Sequence, residues 1–295
     1  MRVTFDIIRD GLSAINTAAE DMAKAQHQVA SGRAYRVPSD NPAASQRTIG
    51  EYAELGALDS YRRTADAAQG RLAAMDSAIA DIVEKLTAAI STAQGARGSS
   101  VTPDARQAIA DAIGGLRESV LSTVNSPYQG SSLFSGTNVD AVAYVNTGGG
   151  WTYQGNAETV RVEVARGRDV AQTWDGQSVL QGGAAADVFT VLDDLEAAIR
   201  AGDPAGMDTG VAELQAAFDR AIRAQGRLGA DENGVDDAMA RLSDLRVATE
   251  ARRSKSEDAN AAEAIAKLNQ ADVAYRSALG AVSTTGRLTL LDYLK

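Results

Sequence analysis

One apolar stripe limits what this chain can fold into. Leu55, Leu58, Tyr61, Ala65, Ala68, Leu72, Met75, Ile79, Ile82 and Leu86 follow one another at steps of three and four, with no proline between Pro42 and Pro103. Such spacing keeps one face of an α-helix apolar turn after turn. A helix from Pro42 to about residue 96 would measure roughly 80 Å, far longer than a globular domain usually holds. The chain must therefore run out along such a helix and pack something equally long against it.

The prolines mark where helices begin. Asn41-Pro42, Thr102-Pro103 and Asp203-Pro204 each place a capping side chain before a proline at the first helical position, where its missing N–H costs nothing. Pro38 and Pro127 fall in loops. A third helix over about 103–125 carries Ile109, Ile113, Leu116, Val120 and Val124. Val188, Leu192, Leu195 and Ile199 predict a short helix ending at Gly202. Beyond Pro204, Val211, Leu214, Phe218, Ala221, Gln225 and Leu228 resume the stripe and continue through Met239, Leu242 and Leu245, past three glycines.

The two ends share one grammar. Leu12, Ile15, Ala19, Met22, Gln26 and Val29 step by threes and fours until Gly32. Ile265, Leu268, Asp272, Tyr275, Leu279 and Val282 do the same near the other end, before an apolar tail with Leu291 and Leu294. Gln26 and Asp272 interrupt the stripes with polar groups that can set helix register. About a fifth of the residues are Ala and only 5% are aromatic, which suits close helix packing with few large anchors. From about 137 to 183 the character changes: Val160-Arg161-Val162-Glu163-Val164 alternates with period two, and Gly148-Gly149-Gly150 reads as a turn.

The expected architecture is mainly α, an elongated helical bundle or coiled-coil rod of N- and C-terminal helices with a small β-rich insert. Its segments are an N-terminal assembly helix and loop (1–42), an outgoing rod (43–136), the insert (137–186), a return rod (187–258), and a C-terminal assembly helix and tail (259–295).

Residue inventory excludes much chemistry. There is no Cys and a single His, His27, so disulfides, thiolate catalysis and two-His metal sites are excluded. Lys and Arg number 29 against 39 Asp and Glu, and this balance of −10 argues against a nucleic-acid partner. No apolar run reaches the ~18 residues a membrane span needs, and the first residues lack the apolar core of a Sec-type signal. Asp231-Glu232-Asn233-Gly234-Val235-Asp236-Asp237 glances at a calcium loop, but Gly and Val fall at the wrong places. A helix junction is the expectation there. Asp193, Asp194 and Glu196 diverge around a helix instead of converging on a substrate. No cofactor and no catalysis are expected.

Several segments then carry a resemblance. Gln28-Val29-Ala30-Ser31-Gly32-Arg33 followed by Pro38-Ser39-Asp40-Asn41-Pro42-Ala43-Ala44 resembles the signature after the first helix of the flagellin family. Ser132-Leu133-Phe134-Ser135-Gly136-Thr137, Tyr153-Gln154-Gly155-Asn156, the stretch Arg223 to Asn233 and the ending Leu288 to Leu294 are similar to segments of its hook–filament junction branch, hook-associated protein 3. The five pieces occur in order along essentially the whole chain. The loop Arg33-Ala34-Tyr35-Arg36-Val37 departs from the usual pattern.

The resemblance implies a structural subunit without chemistry, located in the extracellular flagellum. It would form a ring between the hook-side junction protein and the first flagellins, after leaving through the flagellar type III export apparatus. The terminal stripes would be the assembly interface, and an export chaperone would shield the C-terminal one beforehand. A flagellin filament subunit is the alternative, and a soluble helical-hairpin binding protein is a more distant one.

Overall fold

The computed structural model describes residues 2–98, 101–148, 150–181 and 186–293, with side-chain surroundings for those between 9 and 284. Among them lie seven helices and three two-stranded antiparallel pairs. Helix α1 (Arg2–Ser31) ends at Gly32, whose φ of +69° lets the chain leave the helix while its N–H still reaches the Gln28 carbonyl at 3.0 Å. A single 3-10 turn (Pro38–Asp40) leads to α2 (Pro42–Gly95), with Asn41 as its cap: its Oδ1 accepts from the Ala44 N–H at 3.1 Å. Helix α3 (Pro103–Val124) starts likewise, Thr102 Oγ1 accepting from the Ala105 N–H at 3.2 Å.

The insert follows. Its strand pairs are β1 (Pro127–Tyr128) with β2 (Ser131–Ser132), β3 (Tyr144–Asn146) with β4 (Trp151–Tyr153), and β5 (Arg161–Ala165) with β6 (Arg168–Ala171). The glycine turn joins β3 to β4, and Thr147 N–H donates across it to the Gly150 carbonyl at 3.1 Å. A five-residue helix α4 (Gly176–Leu180), capped by Asp175, is too short to show a period in sequence. Helix α5 (Val188–Ala201) lies antiparallel to α3, the 54-residue α6 (Pro204–Glu257) runs back along α2, and α7 (Ala261–Tyr293) follows. Gly226, Gly229 and Gly234 leave α6 unbroken, and the acidic stretch from Asp231 to Asp237 lies inside it. The expected junction there is helix interior, because Leu228 before the stretch, Val235 within it and Ala238 after it are all buried in the core.

The chain divides into two compact units. Unit 1 takes residues 1–58 and 244–295; unit 2 takes 59–243. Unit 2 owns the apolar core. Leu72, Met75, Ile79, Ile82 and Leu86 of α2 are fully buried, as are Ile113 of α3, Leu195 and Ile199 of α5, and Leu214, Leu228 and Val235 of α6. Each such side chain contributes about 1.5–3 kcal/mol on burial. Tyr144, Tyr153, Trp151 and Phe189 stack where the insert meets α5, with centroids 4.9–5.1 Å apart. Trp151 Nε1 also donates to Asp193 at 2.7 Å, and Arg117 of α3 holds Asp193 and Glu196 together. These carboxylates, unpaired in the sequence reading, fasten α3, α5 and the insert.

Two of the motifs meet inside unit 2. Leu133 and Phe134 are buried, and Tyr153 OH donates to the Phe134 carbonyl at 2.9 Å. Gly136, at φ +67°, lies so close to the Asn156 carbonyl that no Cβ fits.

Candidate assembly surface

In unit 1, α1 and α7 pack side by side and antiparallel. A Cβ on Gly11 would stand 2.7 Å from Val282 Cγ2, while at the other end Ala259 N–H donates to the Gly32 carbonyl at 2.7 Å. Such close backbone approach is what small residues permit. A groove of about 870 Å³ runs between the helices, lined by Ala14, Ala18, Ala25 and Gln28 from one and by Ala271 and Ala274 from the other.

The terminal stripes split into two halves. Ile15, Ala19 and Met22 of α1 are half-buried, as are Leu268, Asp272, Tyr275 and Val282 of α7. Leu12, Gln26 and Val29 stay exposed, and so do Ile265 and Leu279. Gln26 and Asp272 do not bond across the pair; Asp272 binds Arg276 on its own helix at 3.0 Å. Leu294 lies outside the described residues, and Leu291 outside those with described surroundings. Sequence reasoning missed Ala25 and Ala264, both buried, and Val273, which is 63% exposed. Val273 stands eight residues after Ile265, about 80° round the helix from it, so the 3-4 stripe does not include it.

A polar cluster that no motif predicted fastens the rest of unit 1. Glu257, the last residue of α6, is 4% exposed. Its Oε2 accepts from Tyr52 OH of α2 and from Arg253 Nη1, each at 2.8 Å, and Arg33 Nε lies 3.1 Å from Oε1. Arg253 also lies 5.7 Å from the Tyr52 ring centroid. Ala34 N–H donates to the Glu257 carbonyl at 2.7 Å, so the loop after α1 is tied to the α6–α7 turn by backbone and side chain together. In the same loop Asp40 Oδ2 accepts from the Val37 and Arg36 N–H groups at 3.1 Å, which holds its carboxyl below the usual carboxylate range. Both oxygens of the buried Glu257 carboxyl thus have partners, without which its burial would be costly.

Comparison with known proteins agrees with this geometry. Residues 10–139 match the family model of the bacterial flagellin N-terminal helical region. A Vibrio parahaemolyticus structure described as a flagellar hook-associated protein superposes with a TM-score of 0.71 at 22% identity, covering 74% of this chain and 100% of its own. The fold is flagellin-like. Hook associated protein-3 from Legionella pneumophila gives a TM-score of 0.63 at 13% identity over 70% of this chain and 97% of its own. FlgL from Xanthomonas campestris gives 0.58 at 20% identity, over 68% and 98%. No curated protein sequence matches. Within this flagellin-like fold the small β insert comes, in chain order, after α2 and α3 and before α5 and α6.

Proposed function

We propose that this chain is a structural subunit of the bacterial flagellum that forms the junction between hook and filament. It assembles as a ring with the hook-side junction protein on one side and flagellin on the other. One observation carries the reading: the terminal helix pair of a flagellin-like fold leaves Leu12, Val29, Ile265, Val273 and Leu279 on its surface, between 41% and 63% exposed. Apolar side chains gathered on one helix pair mark a surface that partners cover. Support for the junction over the filament comes from the solved structures of like fold, whose names are those of hook-associated proteins. The same exposed face on α7 is what an export chaperone would shield before the subunit passes through the type III channel to the cell exterior.

Immunogold electron microscopy with antibody against the insert (137–183) tests this. Gold confined to a band where hook meets filament is the expected result. Label along the whole filament would make the chain a flagellin, and label only inside cells would overturn the flagellar reading.

A further inference from the structure

Helix α6 carries opposite, uncompensated charge on its two flanks. Its core face, Ala221, Ala224, Leu228 and Val235, is buried. At about 100° per residue, Arg220, Arg223 and Arg227 fall on one flank and Glu232 and Asp236 on the other. The three arginines and Ser178 of α4 line a groove of about 330 Å³. It continues into a second groove that Arg227 and Ser178 share with Arg161, Trp174 and Asp231. Arg227 is braced 5.2 Å from the Trp174 ring centroid. Arg220 donates to the Leu180 carbonyl at 3.2 Å, and its Nε is buried without a partner. One further turn along, Arg168 packs over Gly234.

Among the described residues no ion pair neutralises this strip. Among the described residues no carboxylate lies within 4.0 Å of the Arg220, Arg223 or Arg227 guanidinium groups. Asp219 beside Arg220 and Asp231 one turn beyond Arg227 do not reach them, and Asp175, which lines the second groove, caps α4. Like charges at this helical spacing repel. The opposite flank shows the converse. Asp76 of α2 accepts from Gln225 at 3.1 Å and Asp236 from Gln69 at 2.8 Å, while Glu232 stands between them with no basic partner. Burial, then the Asp76 and Asp236 charges, raise the Glu232 carboxyl above its usual range.

We propose that the two flanks are the halves of one contact between neighbouring copies. The arginine flank of α6 in one subunit receives the Asp76, Glu232 and Asp236 flank of the next. A contact between two different patches repeats head to tail, closing into a ring or continuing as a helix. Guanidinium–carboxylate pairing would set the register between copies, and the repulsion on each flank would be relieved only on assembly. The inference rests on the reading of the chain as a self-assembling junction subunit.

Two double variants test it in cells. R223E/R227E has acid on both flanks; E232K/D236K has base on both. Each is expressed in a strain deleted for the chain, with the secreted protein checked by circular dichroism, and filament-bearing cells are counted. The expected result is that each variant alone matches the deletion strain, and that combining both pairs of changes in one chain, R223E/R227E/E232K/D236K, restores filaments, since every copy then offers acid where its neighbour offers base. Filaments retained by either variant alone would overturn the pairing. So would failure of the fourfold variant, because the defect would then not lie in charge between copies. A deletion strain that keeps its filaments would instead remove the junction reading beneath it.

Discussion

The two units solve the same packing problem in opposite ways. Unit 2 closes on itself: leucines, isoleucines and aromatic rings from four helices and the insert lie inside it, at or near zero exposure. Unit 1 buries chiefly alanines, Ala25, Ala44 and Ala264, with Leu58 at its border. Among the described residues, ten of the twelve large apolar side chains left exposed belong to unit 1, although it is the smaller unit. Unit 2 therefore has an apolar core of its own, whereas unit 1 leaves most of its large apolar groups exposed. A cooperative core and a poorly buried helix pair should differ in local stability even where one continuous helix serves both.

The largest expected effect comes from attacking the closed core. Leu72→Ala or Leu86→Ala should cost about 2–5 kcal/mol in urea unfolding, while Ile265→Ala in unit 1 should stay within about 0.5 kcal/mol. Similar costs at both places would break the comparison. Next comes the buried acid. Glu257→Ala leaves Tyr52 and Arg253 without their acceptor and should cost about 1–3 kcal/mol. Hydrogen exchange should then quicken over residues 32–41 and 258–264 and stay unchanged over 65–93.

Alkaline pH should sharpen the contrast from the other side. Burial pushes the Tyr144 and Tyr153 hydroxyls well above the ordinary tyrosine value. Above about pH 10 the unfolded chain gives up both protons while the folded unit 2 keeps them, so stability falls as pH rises, on the order of 1–2 kcal/mol per unit. Melting curves between pH 9 and pH 11 would read this. Tyr144→Phe should flatten the slope and cost little at pH 7, since the hydroxyl it removes is buried without a partner. Smallest in stability is Leu279→Asp on the exposed half of α7. It should change the free subunit's unfolding free energy in urea by less than about 0.5 kcal/mol yet abolish filament retention. Normal retention would show that this face is not used in assembly.

Much of the helical plan was legible because its signals are local. Capped prolines and 3-4 spacing placed α2, α3 and α5 to within a residue or two and started α6 at Pro204, but they expected a junction at Asp231–Asp237 where α6 continues to Glu257. Periodicity cannot say which neighbour a stripe meets, so it could not separate the half of each terminal stripe that faces its partner helix from the half left bare. Leu268 and Ile265 look alike in sequence and differ in exposure. The Glu257 cluster was invisible for another reason: Tyr52 and Glu257 stand 205 residues apart and meet only once α2 and α6 have returned alongside one another. The same holds for the two charged flanks of α6, where α2 and α4 supply Asp76 and Ser178.

Hydrogen–deuterium exchange along α2 in the free, full-length subunit tests the central claim most directly. The helix is continuous from Pro42 to Gly95 but passes from unit 1 to unit 2 near residue 58. Protection should step up by roughly a hundredfold or more across that point, with α1 and α7 as poorly protected as the first part of α2. Uniform protection along α2, matched in α1 and α7, would contradict the account, because unit 1 would then be complete without neighbours.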